Sequence, residues 1–241
     1  REKKLAEAEK EKMRANLLRA VSHDLRTPLT GIIGASSSYL ENEDKLDPDE
    51  KRAMVQHIGE DANWLLNMVE NLLTVTRIRN DSASVNKSLE PVEEVMSEAV
   101  FRLKKRIPDA RIKVLLPEEF VMIPMDATLI EQVLVNLLEN AVFHAGSVDP
   151  IECRAEIGKD NVTFLVTDQG VGIPEDKLKT IFDGTGQTEN SSSDGHKGMG
   201  IGLSICKTII TAHGGTISAR NLGHGAQFAF TLPRGRMDNE Q

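Results

Sequence analysis

The sequence predicts an α + α/β protein: a helical hairpin that pairs with a second copy into a four-helix bundle, followed by an α/β layer fold. Over residues 1–72, apolar side chains recur at spacings of three and four, the period of helices with one buried face. Between residues 112 and 232, short apolar runs of strand length alternate with helical patterns, which points to a sheet covered by helices. A stretch rich in Asn, Asp and Ser at 80–87 separates the two patterns. At 241 residues the chain is long for one compact domain and comfortable for two. The expected division is 1–82 and 83–241.

The first element runs as one helix from Arg1 to about Tyr39, rich in Ala, Glu, Lys and Leu. Its first dozen residues are mostly polar and suit a coiled coil that carries a signal. Leu18, Val21, Leu25, Pro28 and Ile32 then form a heptad-like seam, and His23 falls off it. Asp47-Pro48-Asp49-Glu50 signals the next helix, with an N-cap Asp, Pro at the first helical position and Glu at the third. In that helix Ile58, Ala62, Leu65, Val69 and Leu72 again step by four and three. A lone hairpin cannot bury such a face, and a homodimeric four-helix bundle is the simplest remedy. Beyond the polar stretch, strands are expected at 112–116, 121–124, 151–157, 162–168, 215–219 and 227–232, with helices after Pro91, after Asp126 and after Gly202. The segment DGTGQTENSSSDGHKGMG at 183–200 is nearly devoid of apolar residues and too long for an ordinary connection. Disorder or a functional lid are its two explanations, and the lid is favoured.

Composition excludes several classes. With 39% hydrophobic and 27% charged residues the chain folds rather than staying disordered. A formal net charge of −8 argues against a nucleic-acid partner, which demands a basic face. The two cysteines, Cys153 and Cys206, are too few and too far apart for a disulfide framework or a zinc site. No apolar run approaches the roughly 20 residues of a membrane span, so this stretch is expected to be soluble. The sequence opens in mid-helix, which leaves room for an upstream sensing part and membrane anchor.

Four segments carry chemistry. In SHDLRTPL at 22–29, His23 sits at an outward helical position, where a neutral imidazole nitrogen can attack a phosphoryl group. Asp24 can accept from the other ring nitrogen, fix the tautomer and act as base. Taken alone, an exposed helical histidine is usually only a solvated surface residue. In the segment from Asp126 to Ala141, Asn136 and Asn140 lie four apart on one helical face. Their neutral amide oxygens suit Mg²⁺ that already carries triphosphate charge, though two solvent-facing asparagines are as good an explanation of the pair alone. Asp168 closes a strand before Gly170 and Gly172. It could accept from an exocyclic amine of adenine while the glycines allow a tight turn, or it could be a plain Asp-Gly turn. Gly198, Gly200 and Gly202 open a helix whose free N–H groups and dipole favour phosphate. No P-loop signature accompanies them.

Together, SHDLRTPL resembles the H-box of sensor histidine kinases, the asparagine segment their N-box, Asp168 with its glycines their G1 box, and GMGIGL their G2 box, in the same order along nearly the whole chain. The resemblance implies a Bergerat-type ATP-binding fold, shared with gyrase and Hsp90 chaperones, for the second domain. It implies His23 as phosphoacceptor, Asn140 as the Mg²⁺ ligand, Asp168 as the adenine contact, and an aspartate of a response regulator as the final acceptor. The residue matching Thr27 positions water for dephosphorylating the regulator in that family. Two departures stand out. Phe143 replaces a Lys or Arg that touches the nucleotide phosphates, a role left to His144 or Lys197. Ile181-Phe182-Asp183 begins like the family's F-box, but Gly184-Thr185-Gly186 follow in place of its second aromatic and basic residues. Within the family, SHDLRTPLTGIIGASSSYLEN and IEQVLVNLLENAV are most similar to KdpD-type, potassium-responsive sensors. That implies a KdpE-like regulator and a cytoplasmic place in a membrane-bound bacterial sensor. Two rivals remain at this point: a Bergerat-fold ATPase without a histidine acceptor, and a regulator-binding phosphatase module whose kinase activity Phe143 and the unusual lid have weakened.

Overall fold

A computed structural model of the chain describes residues 22, 25–80, 85–144, 146, 149–183 and 199–235. Helix α1 covers residues 25–42 and continues through Pro28, which is buried. Helix α2 (Pro48–Asn80) opens as the sequence predicts. The Asp47 carboxylate accepts from the Asp49 and Glu50 N–H groups at 2.9 and 2.8 Å, and the Glu50 carboxylate accepts from the Asp47 N–H at 3.0 Å, a reciprocal cap that satisfies N–H groups the helix leaves unpaired. The hairpin closes tightly at Gly31, where any Cβ would collide with the Asp61 carboxylate of α2.

The second part begins with β1 (Ser88–Pro91), paired antiparallel with β3 (Met122–Met125). The sequence gives no sign of β1, because four residues ending in proline carry too little alternation to read. Between them lie α3 (Val92–Arg106) and β2 (Ile112–Leu115). Helix α4 (Ala127–His144) is followed by β4 (Ile151–Ile157), β5 (Asn161–Thr167), the one-turn α5 (Glu175–Leu178), α6 (Met199–Ala212), β6 (Thr216–Asn221) and β7 (Ala226–Pro233). The main sheet has the order β2-β4-β5-β7-β6, with β2 parallel to β4 and the other pairs antiparallel.

Burial alternates along β4, β5 and β7, so one face of the sheet meets the helices. Phe164 and Phe230 are register partners stacked at 4.6 Å between centroids. Above them pack Leu134, Leu137, Leu138, Leu203 and Ile209, all buried. The result is the two-layer α/β sandwich the element pattern predicts. Helix α6 starts at Met199, not after Gly202; the apolar residues from Ile201 onward tolerate glycines in the opening turn. Helix α2 also lies against α6, and Met68 is buried there with Trp64 and Leu72 packed beside it. Among the described residues, no helix is long and apolar enough to cross a membrane.

Candidate active site

Helices α4 and α6 run antiparallel and form two walls. Three contacts set their register: the Asp126 N–H donates to His213 Nε2 at 3.0 Å, Cys206 Sγ lies 3.8 Å from the Val133 carbonyl, and Gly202 sits beside Asn136, where an added Cβ would be 4.0 Å from Asn136 Cγ. Asn136 and Asn140 therefore do share one face, one turn apart, and both are half-buried. Asn136 Nδ2 is buried without a hydrogen-bond partner, an orphan donor that a bound ligand would satisfy. Its neighbour is the Cys206 thiol, which burial pushes up to about 12 while Asn136 pulls weakly the other way. That thiol is an inert core group. Gly200 lies in the opening turn of α6, where four N–H groups lack helical partners, so Gly200 and Gly202 of the predicted anion cradle stand within the first turn of the helix and not ahead of it.

Asp168 follows β5 at 6% exposure. Its Oδ1 accepts from the Gly170 N–H at 2.8 Å and the Ala226 N–H at 3.2 Å. Two further residues, outside every segment named above, hold this loop. The Asn221 amide clamps Ile173, its Oδ1 accepting from the Ile173 N–H and its Nδ2 donating to the Ile173 carbonyl, each at 2.7 Å. Gly172 has φ +77° and leaves room for that amide. Gly225 has φ +79°, and a Cβ there would overlap the Asp168 carbonyl; only glycine fits both demands. The turn composition of Gly223-His224-Gly225 was the available signal.

Beyond the loop, Phe182 packs edge-on against Phe228 at 6.2 Å, and Asp183 pairs with Lys207 of α6 at 2.8 Å. These contacts anchor the start of the predicted lid, of which residues 184–198, Lys197 and Gly198 among them, lie outside the described ones. His23 and Asp24 also lie outside them. Thr27 is exposed on α1, four residues past His23. Phe143 is 44% exposed on the last turn of α4. On the outer side of α4, Arg106 and Arg102 of α3 pair with Glu139 and Glu131 at 2.7 and 3.0 Å. Burial pushes the Glu139 carboxyl up, and the Arg106 guanidinium pulls it back.

The donor set fits a magnesium nucleotide. No cluster of three or more His, Cys, Asp or Glu able to hold a metal occurs among the described residues. A cation here would take one amide oxygen from the protein and the rest from phosphate and water, the coordination Mg²⁺ favours.

Comparison with known proteins agrees with this architecture. Residues 13–81 match the His Kinase A (phospho-acceptor) domain, and residues 125–236 match the histidine kinase-, DNA gyrase B- and HSP90-like ATPase. Sensor protein KdpD of Clostridium acetobutylicum is 45% identical over 97% of this chain and 26% of its own length. Sensor protein KdpD of Escherichia coli strain K12 is 37% identical over 94% of the chain and 25% of its own length. The chain thus spans about a quarter of these relatives. The crystal structure of histidine kinase ThkA in complex with response regulator protein TrrA is similar at 25% identity and a TM-score of 0.66, covering 95% of this chain and 64% of that one. With a phosphoacceptor hairpin followed by an ATPase sandwich, the chain belongs to the sensor histidine kinases and resembles KdpD.

Proposed function

We propose that the chain is a kinase that phosphorylates its own His23 from ATP and passes the phosphoryl group to an aspartate of a response-regulator receiver domain. One observation above all supports this: the orphan Asn136 amide facing Gly202 between α4 and α6, beside a loop that holds Asp168 at the end of β5. ATP enters with its adenine amine on Asp168, in the loop turned by Gly170 and Gly172, and its phosphates at the opening of α6 around Gly198, Gly200 and Gly202. Lys197 takes the phosphate contact that Phe143 cannot make. Asn140 offers its amide oxygen to Mg²⁺, which when bound neutralises phosphate charge. A ring nitrogen of His23 then bonds the γ-phosphorus as the bond to the ADP oxygen breaks, while Asp24 holds the proton on the other ring nitrogen. In the reverse mode, the Thr27 hydroxyl positions water to dephosphorylate the regulator.

This division of labour assigns residues 1–82 to dimerisation and phosphotransfer and 83–241 to nucleotide binding. The chain works as a homodimer on the cytoplasmic side of a membrane-anchored sensor, and its partner is KdpE-like. The matched phosphoacceptor domain disfavours both rivals, which do without an active histidine. A decisive test supplies Mg²⁺, γ-labelled ATP and a KdpE-type receiver domain. Label should move from the kinase to the regulator. Free phosphate with neither protein labelled would install the hydrolase in its place.

A further inference from the structure

His213 is 1% exposed, a burial that polar side chains accept only when their hydrogen bonds are made. Both of its nitrogens are engaged. Nδ1 lies 2.8 Å from the Ile209 carbonyl, an acceptor only, so Nδ1 carries the proton. Nε2 is then a lone pair, and it accepts from the Asp126 N–H at 3.0 Å. The acceptor and the tautomer are fixed by this geometry.

Asp126 is the residue on which α4 starts. Its Oδ1 accepts from the Leu129 N–H at 3.2 Å and its carbonyl from the Ile130 N–H at 3.0 Å. His213 closes the far end of α6, where Gly214 at φ +79° and Gly215, pressed against the Thr231 carbonyl, end the helix. One imidazole thus ties the first residue of one wall to the last turn of the other. From there to Asn136 and Gly202 is ten or eleven residues along each helix, about 15 Å. In between lie buried apolar side chains such as Ile130, Val133, Leu203 and Ile210, and the weak contact of the Cys206 thiol with the Val133 carbonyl at 3.8 Å. Such packing is non-directional and sets the distance between helices better than their register. A hydrogen bond at the end of the pair is directional and resists sliding.

We propose that His213 is a positioning residue: its Nε2 fixes the register of α4 against α6 and thereby the spacing between the Asn136 and Asn140 face and the phosphate-binding opening of α6. This rests on the nucleotide site proposed above. Asn136 and Asn140 move with α4 and Gly202 moves with α6, so a slip of either helix misplaces the two halves of the site relative to each other.

The test uses the whole chain and exploits the shapes of two amides. His213→Asn places an amide near the Nδ1 position and loses the acceptor for Asp126; His213→Gln reaches the Nε2 position and keeps it. Magnesium-ATP affinity is measured by titration calorimetry alongside the melting temperature. The Asn variant should bind about tenfold more weakly, as when a group that orients a ligand-binding residue is lost, and Gln should bind close to wild type although both lose the imidazole. Equal affinities for the two variants, or losses that merely track melting temperature, would overturn the inference. So that poor folding of either variant cannot blunt the test, ¹⁵N spectra of the wild type should show a coupling across the hydrogen bond between the Asp126 amide and an unprotonated His213 Nε2. Its absence would also overturn the inference. A wild type that binds no magnesium-ATP would overturn the nucleotide site itself and the inference with it.

Discussion

The two halves of the chain solve the burial problem differently. Among the described residues of the hairpin, Pro28 and Met68 are buried, whereas Leu29, Ile33, Leu40, Val55, Leu66, Val69 and Leu73 are all at least 44% exposed. The sandwich buries its large residues completely, Phe164, Phe228, Phe230 and Leu134 among them. A surface that apolar on two helices marks an interface, so the hairpin is half of a fold and the sandwich is a whole one. The difference fits the work proposed for each: an acceptor that must be approached by other domains, and a site that must hold its walls in register.

The strongest way to break this comparison is to charge the hairpin's open face. Ile33→Glu with Leu66→Glu should split the dimer in sedimentation, because each unpaired charge buried at the interface costs about 2 kcal/mol or more, while ATP affinity of the sandwich stays unchanged. Asn140→Ala is the converse. Autophosphorylation should fall by about a hundredfold in a chain that still sediments as a dimer. Gly225→Ala strikes the sandwich framework: a strained φ and a Cβ against Asp168 should lower its stability by about 2 kcal/mol, read as the melting temperature of the sandwich, with weaker ATP binding.

The smallest effect is acid sensitivity. Burial holds the His213 imidazole below its ordinary value of 6.5, with Lys87 adding to the depression and the Ile209 carbonyl and Asp126 opposing it. The unfolded chain therefore binds the proton first. Stability from this group is complete above about pH 6.5 and is lost as pH falls below it. Denaturation followed from pH 7.5 to 5 should show that acid-side slope in the wild type and a flatter one in His213→Gln.

What the sequence revealed follows from how local each signal is. The helix period of the hairpin and the Asp47 cap act within one turn, and both were legible. Strands β4 and β7 alternate over seven and eight residues and were legible too. Asn136, Asn140 and Asp168 stand in recognisable segments, so their neighbourhood could be named before any fold was known. Strand β1 could not be read, since its four residues gain their conformation from β3. Asn221, Gly225 and His213 act across 48, 57 and 87 positions of sequence, and nothing local distinguishes a clamp or a buried imidazole from an ordinary turn Asn or surface His.

The central claim is that the hairpin's histidine receives what the sandwich's nucleotide gives. Wild type and His23→Gln should be incubated with Mg²⁺ and γ-labelled ATP, with nucleotide affinity measured on both. Acid-labile, base-stable label on the wild type and none on a His23→Gln chain that still binds ATP is the predicted result. Label that persists in His23→Gln, or that survives acid and is lost in base, would contradict it.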